Sequence, residues 1–190
     1  MATTNQKGTV LLVMDILERI VANLPDSSPL LAGVGEAIAG ARAANIPVIH
    51  VILGFREGYP EVNLANKSFA RIMQSGCFYT PGDEKGSIHP AAAPLPSEII
   101  VIKKRISAFS GNDLDMILRS MNAGHLVLAG CATSGIVLST VREAADKDYR
   151  LTVLSDACDD SNKETHQFLL ANVFPRQAEV MSTAEWVKSA

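Results

Sequence analysis

Six short apolar runs, rich in β-branched residues and without a polar face at period two, constrain this chain more than any other feature. They cover 9–14 (TVLLVM), 46–53 (IPVIHVIL), 99–102, 126–129, 151–154 and 179–181. Strands buried on both faces read this way, and such strands belong to parallel sheets. Helical patterns separate them. Residues 30–45 place Leu31, Val34, Ile38 and Ala41 at helical spacing before Pro47. Asn112 can cap a helix carrying Leu114, Ile117, Leu118 and Met121, ended by Gly124 as a left-handed cap. Residues 134–148 put Val137, Val141 and Ala144 on one face. Ser161 with Glu164 and Ser182 with Glu185 have capping-box spacing and open two more helices. The alternation predicts a three-layer α/β fold, a mostly parallel sheet with helices on both sides.

Composition narrows the function classes. With 190 residues, 47% hydrophobic and 19% charged, the chain predicts one globular domain over 1–190. A net charge of −3 gives no footprint for nucleic acid. No apolar run approaches the ~18–20 residues of a membrane span. The polar start, Met1 to Gly8, lacks a signal peptide's apolar stretch, so a cytoplasmic location is expected. Cysteines at 77, 131 and 158 are too few and too dispersed for a disulfide scaffold or a cysteine zinc site. Residues 54–96 are rich in Gly and Pro, lack a clear long helix, and hold Phe55, Tyr59, Phe69, Phe78 and Tyr79. An irregular insertion of that length reads as a covering lid or an oligomer contact.

In open α/β sheets, ligands bind beyond the carboxyl ends of the strands. Asp15 follows the first strand, where partial burial raises a carboxyl pKa unless a cation is near. Lys103, Lys104 and Arg105 follow the third and could supply that cation, making an acid–base pair; the plainer reading is a loop tie and surface charge. Gly130-Cys131-Ala132-Thr133-Ser134-Gly135 follows the fourth strand and leads into a helix, so its backbone N–H groups suit an anion or an oxyanion. It is neither GxGxxG nor a P-loop, so no nucleotide cofactor is expected. Cys131 is either a nucleophile or a small buried hydrophobe. Asp156, Asp159 and Asp160 follow the fifth strand. His50, His89, His125 and His166 do not cluster, and no metal is expected.

With these residues in place, the chain resembles the isochorismatase-like, or cysteine hydrolase, superfamily over nearly its whole length. The resemblance rests on the apolar strand ending in Asp15, Lys103 four residues before Ser107-Ala108-Phe109, the Gly130-Cys131-Ala132-Thr133 turn, Ser155-Asp156-Ala157-Cys158, and the 82–94 stretch. It implies a six-stranded parallel sheet of order 3-2-1-4-5-6 and a cis peptide at Cys131–Ala132. It also implies an Asp–Lys–Cys hydrolase of small molecules, assembled as a homodimer or homotetramer. The family's nucleophilic Cys falls on Ile136, which cannot form a covalent intermediate. Isochorismatases also lack that Cys; in them an Asp protonates a vinyl ether. Leu17 and Glu18 replace the family's usual Gln and Asn, and 53–63 has no counterpart to the nicotinamidase metal ligands.

Three readings follow. In the first, Asp15 is the general acid or base, Lys103 tunes it, and no covalent nucleophile is used. Ala132, Thr133, Gly135 and Ile136 then contact the substrate through backbone N–H groups and a pocket wall, and Phe55, Tyr59 and Phe109 enclose it. In the second, an amidase recruits a water, Ser134 or Cys131. In the third, a non-catalytic member binds a small molecule or partner and keeps Asp15 and Lys103 as a structural ion pair.

Overall fold

The computed structural model describes residues 8–75 and 88–190. Six strands form one parallel sheet in the order β3-β2-β1-β4-β5-β6. They are β1 (Thr9–Met14), β2 (Val48–Leu53), β3 (Ile99–Lys103), β4 (His125–Cys131), β5 (Arg150–Asp159) and β6 (Glu179–Met181). The helices are α1 (Glu18–Val21), α2 (Ser28–Ala43), α3 (Lys67–Gln74), α4 (Leu114–Ser120), α5 (Leu138–Asp146), α6 (Lys163–Phe168) and α7 (Thr183–Ser189). No helix among the described residues is long and apolar enough to cross a membrane.

All six residues of β1 are buried, because both faces of the sheet are covered. Leu11 and Val13 join Val34, Ile38 and Ala41 of α2 and Trp186 of α7 in one core. Val10, Leu12 and Met14 join Leu114 and Leu118 of α4 and Val141 and Ala144 of α5 in the other. The period-two alternation along β1 thus divides its side chains between two layers of helix.

Several local expectations are corrected. Residues 46 and 47 precede β2, and Pro47 contributes only its carbonyl, to Leu11 N at 2.9 Å. The left-handed residue after α4 is Asn122, with φ 52°, not Gly124. Asn tolerates that region because its short polar side chain bonds locally. Asn162, not Ser161, caps α6, accepting from Thr165 N at 2.9 Å. The Ser182–Glu185 capping box does open α7. The 54–96 segment contains α3, a helix of only eight residues whose apolar stripe is Phe69, Ile72 and Met73, with Phe69 buried. Phe78, Tyr79 and Cys77 lie outside the described residues.

Two features bear on the site. Between β4 and β5, Leu128 pairs with Val153 and Gly130 with Cys158. Two steps along β4 therefore match five along β5, a bulge that α2 packs onto at Gly33, where a Cβ would lie 2.4 Å from the Asp156 carbonyl oxygen. Before β3, Glu98 accepts from Arg42 Nε at 2.8 Å and Nη2 at 2.9 Å, from Leu95 N at 2.8 Å, and pairs with His50 Nε2 at 3.0 Å. Burial opposes its charge, but these donors outweigh that and hold its carboxyl at about 2. Glu98→Gln is expected to cost about 1–2 kcal/mol at neutral pH, after allowing for solvent screening of the half-exposed Arg42. Because the folded value lies below the ordinary one, that stabilisation is present above about 4.5 and fades as pH falls toward 2. Urea unfolding of both proteins across this range checks it: the gap between them narrows on acidification.

Candidate active site

The order of the strands reverses between β1 and β4, and Asp15 and the Cys131–Ala132 peptide stand at the carboxyl ends of these two strands. Asp15 has φ 53°, an uncommon conformation for a residue with a side chain. Its N–H donates to the Val51 carbonyl at 2.8 Å, and Oδ1 accepts from Leu53 N at 2.8 Å. Oδ2 pairs with Lys103 Nζ at 2.8 Å. Residue exposure is 5% for Asp15 and 2% for Lys103, so the pair is shielded from water. Burial pushes the Asp15 carboxyl up from its ordinary value, and the Lys103 ammonium and the Leu53 N–H only partly offset it. A group in that state can hold and deliver a proton. Lys103 donates a second bond to the Arg105 carbonyl at 3.1 Å. An ammonium has three donors, so one has no partner among the described residues.

The turn across from Asp15 contains a cis peptide at Cys131–Ala132, as the resemblance implies. Thr133–Val137 then form one π-helical turn leading into α5, a geometry no spacing rule announces. Thr133, Ile136 and Val137 are buried. Ile136 belongs to the apolar core shared with Met14 and Ala108. Two of the turn's amides are internal: Gly135 N and Val137 N both donate to the Ala132 carbonyl, at 3.0 and 3.4 Å. Ser134 N and Oγ donate to Asp160 Oδ2 at 2.8 and 2.7 Å.

Cys131 is 2% exposed. Burial, with the carboxylates of Asp159, Asp160 and Asp15 adding to it, pushes its thiol up to about 12. That disfavours the thiolate, the form of cysteine that attacks a carbonyl. Cys158 is likewise pushed up to about 12 by burial, and its Sγ faces the Leu128 carbonyl at 3.7 Å.

The aromatic residues divide. Phe55 is buried against Tyr59 and Phe69, both at 5.7 Å between ring centroids, beside the ends of β2 and β3. Phe109 is turned elsewhere: its ring stacks on Tyr149 at 6.0 Å, with Lys147 Nζ 5.4 Å from its centroid. Tyr149 stands just before β5, at the amino end of the sheet, so Phe109 is not brought to the Asp15 crevice.

The strand-end candidate Asp160 is joined here by two residues that carry no sequence signal of their own, His166 and Lys163. Asp160 fixes the turn through Ser134. His166, on α6, reaches Thr133 Oγ1 through Nδ1 at 2.8 Å. Lys163 bonds Asp159 Oδ1 at 2.6 Å. The strand-end rule points to Asp159 and Asp160, but only the fold shows that Asp156 turns away to hold Thr183 N and Oγ1, each at 2.7 Å. Among the described residues, no group of three His, Cys, Asp or Glu could hold a metal ion. A cleft of about 150 Å³ around Thr9, Ile46 and His125 and another of about 310 Å³ around Thr9, Ile46 and Met121 lie at the amino ends of the strands, away from this chemistry.

Comparison with known proteins places these features. An isochorismatase domain model matches residues 9–185. An uncharacterized isochorismatase family protein, YecD, of Escherichia coli O157:H7 is 31% identical over 97% of both chains. The ureidoacrylate amidohydrolase RutB of Methylobacterium radiotolerans is 29% identical over 87% of this chain and 72% of its own. Among solved structures, an isochorismatase family protein from Burkholderia thailandensis superposes with a TM-score of 0.83 at 27% identity, covering 100% of this chain and 98% of its own. A cysteine hydrolase from Pseudomonas syringae pv. phaseolicola shares the fold with a TM-score of 0.88 at 20% identity, covering 100% and 95%.

Proposed function

This chain belongs to the isochorismatase family of hydrolases, and from that premise we propose that it cleaves a small vinyl ether by proton transfer from Asp15, without a covalent thiol intermediate. The observation that carries this reading is a buried Asp15 paired with Lys103, its carboxyl raised by burial, beside a turn whose Cys131 thiol is pushed up to about 12. Ile136 stands where the family resemblance puts the nucleophile, and an alkyl side chain offers no attacking atom.

In this mechanism the protonated Asp15 carboxyl gives its proton to the terminal vinyl carbon. The ether oxygen supports the oxocarbenium that forms at the neighbouring carbon. Water adds there and returns a proton to the Asp15 carboxylate. The hemiketal then collapses to a ketone and an alcohol, so one water is consumed and the acid is regenerated. Lys103 stabilises the carboxylate between the two proton transfers and has a donor left for the substrate. Phe55 and Tyr59 lie on the β2 side, where they enclose the substrate.

Wild-type protein incubated with isochorismate, followed as pyruvate, and with small ureido and carboxamide compounds, followed as ammonia, tests the reading. Pyruvate without ammonia is expected. Ammonia without pyruvate overturns it in favour of amide hydrolysis by an activated water or Ser134, the alternative that similarity to ureidoacrylate amidohydrolases favours.

A further inference from the structure

The three consecutive cations at the end of β3 are used in three ways. Lys103 pairs with Asp15. Lys104 Nζ donates to the Gly54 carbonyl at 2.8 Å, beside the Gly54 N to Lys103 carbonyl bond at 3.2 Å. Arg105 has an exposed side chain, yet it is tied at several points. Its Nη2 donates to the Glu61 carbonyl at 3.0 Å and its Nη1 to the Lys104 carbonyl at 2.7 Å. Its guanidinium lies 5.5 Å from the centre of the Phe69 ring. Its own carbonyl accepts from Lys103 Nζ at 3.1 Å. One residue thus touches the loop after β2, helix α3 and the buried ammonium.

We propose that Arg105 is a positioning residue of the active site: its guanidinium fastens residues 54–75 over the crevice while its carbonyl holds the Lys103 ammonium, so the seating of the cover and the geometry of the Asp15–Lys103 pair form one coupled arrangement. The inference rests on Asp15 and Lys103 being the reacting pair. A carbonyl points where its residue's backbone dihedrals put it, and a side chain pinned to Glu61, Lys104 and Phe69 resists their rotation. The fork of a guanidinium suits this, because it reaches two carbonyls and an aromatic face together, which an ammonium on a flexible stem does not. Each bond is exposed and contributes little to stability. Their effect on Asp15 is larger, because water admitted beside a buried pair weakens every charge interaction there.

The charged and titratable groups around Asp15 are the Lys103 ammonium from β3 and the Cys131 thiol from β4, with the Leu53 N–H from β2. Beyond Cys131 stand Asp159, Asp160 and Lys163. Carbon-13 NMR of protein labelled at the aspartate carboxyls follows the Asp15 midpoint directly, with the resonance missing from Asp15→Asn as its assignment. Arg105→Met is expected to lower that midpoint, on the order of one pH unit, as water reaches the carboxyl. Arg105→Lys keeps the charge without the fork and is expected to lower it as well. Phe69→Leu keeps the Arg105 hydrogen bonds and gives a smaller change in the same direction. An unchanged midpoint in folded Arg105→Met and Arg105→Lys overturns the proposal. Should Arg105→Met fail to fold, Arg105→Lys and Phe69→Leu decide. The titration needs no turnover, so a protein that cleaves no vinyl ether still tests the Arg105 inference; vinyl-ether cleavage with an unmoved midpoint defeats it alone.

Discussion

Asp15→Asn is expected to lower kcat by about 10²–10⁴, the usual contribution of a positioned proton donor, and to destabilise the protein as well. The amide cannot carry the transferred proton and cannot neutralise Lys103, which is 2% exposed. Leaving one charge of a buried pair uncompensated costs about 3–5 kcal/mol. Asp15→Asn combined with Lys103→Met removes both charges, so it is expected to regain most of the lost stability and none of the activity. Activity assays and urea unfolding of the single and double variants separate the two roles. Double-variant stability no better than that of Asp15→Asn would mean that the pair is not electrostatically coupled.

The pH dependence has a definite sign. Burial raises the Asp15 value in the folded protein above its ordinary 3.8. Below the ordinary value both folded and unfolded chains are protonated there. As pH rises through the window between the two values, the unfolded chain ionises first and the native state loses stability. A reaction needing the Asp15 proton falls off at the upper end of the same window. Asp15→Asn is expected to remove that slope from a plot of stability against pH.

Gly130→Ala is the second large effect. A Cβ at this position would stand 2.4 Å from the Met14 carbonyl oxygen and 2.8 Å from the Met14 Cβ. These belong to the residue before Asp15, and Gly130 itself pairs with Met14 across the sheet. The neighbour is backbone, so the clash is relieved only by spreading β1 from β4. Overpacking of this kind costs about 2–3 kcal/mol, on the order of 5–10 °C in Tm for a chain of this size. The same movement displaces Asp15 from the turn at Ala132, so activity is expected to drop further than stability alone explains. Gly124→Ala is the control: a Cβ there meets nothing within 4 Å, and its unfolding is expected to match wild type within about 0.5 kcal/mol. Equal losses in both variants would refute the close-approach argument.

The sheet was readable because its strands are apolar on both faces. The bounds of β1 follow from composition alone, since no polar face blurs them, and those of β6 match although it begins on the exposed Glu179. Asp15 and Lys103 were findable for the same reason: each is the charged residue at the carboxyl end of a buried strand. Other parts of the site depend on partners distant in the chain. Ser134 meets Asp160 at a separation of 26 residues, Thr133 meets His166 at 33, and Arg105 meets Glu61 at 44. No local period encodes such meetings. Phe109 shows the converse, a residue inside a recognisable motif whose ring the fold sends toward Tyr149. Helix α3 does carry a helical spacing in Phe69, Ile72 and Met73, but it is only eight residues long and sits inside a Gly- and Pro-rich stretch, so it does not stand out as a long helix.

The bulge in β5 divides labour between two aspartates. Side chains alternate along a strand, so an odd insertion reverses which way every later residue faces. Here β5 advances five positions, 153 to 158, while β4 advances two, 128 to 130; the surplus is three. In an unbroken ladder Asp156 would fall opposite Cys131; with the bulge that place belongs to Asp159. The surplus frees Asp156 to anchor α7 through Thr183 and delivers Asp159 and Asp160 to the rim of the crevice. The length of the bulge thus decides which aspartate stands opposite Cys131, so backbone length, and not only side-chain identity, sets the electrostatics of the site.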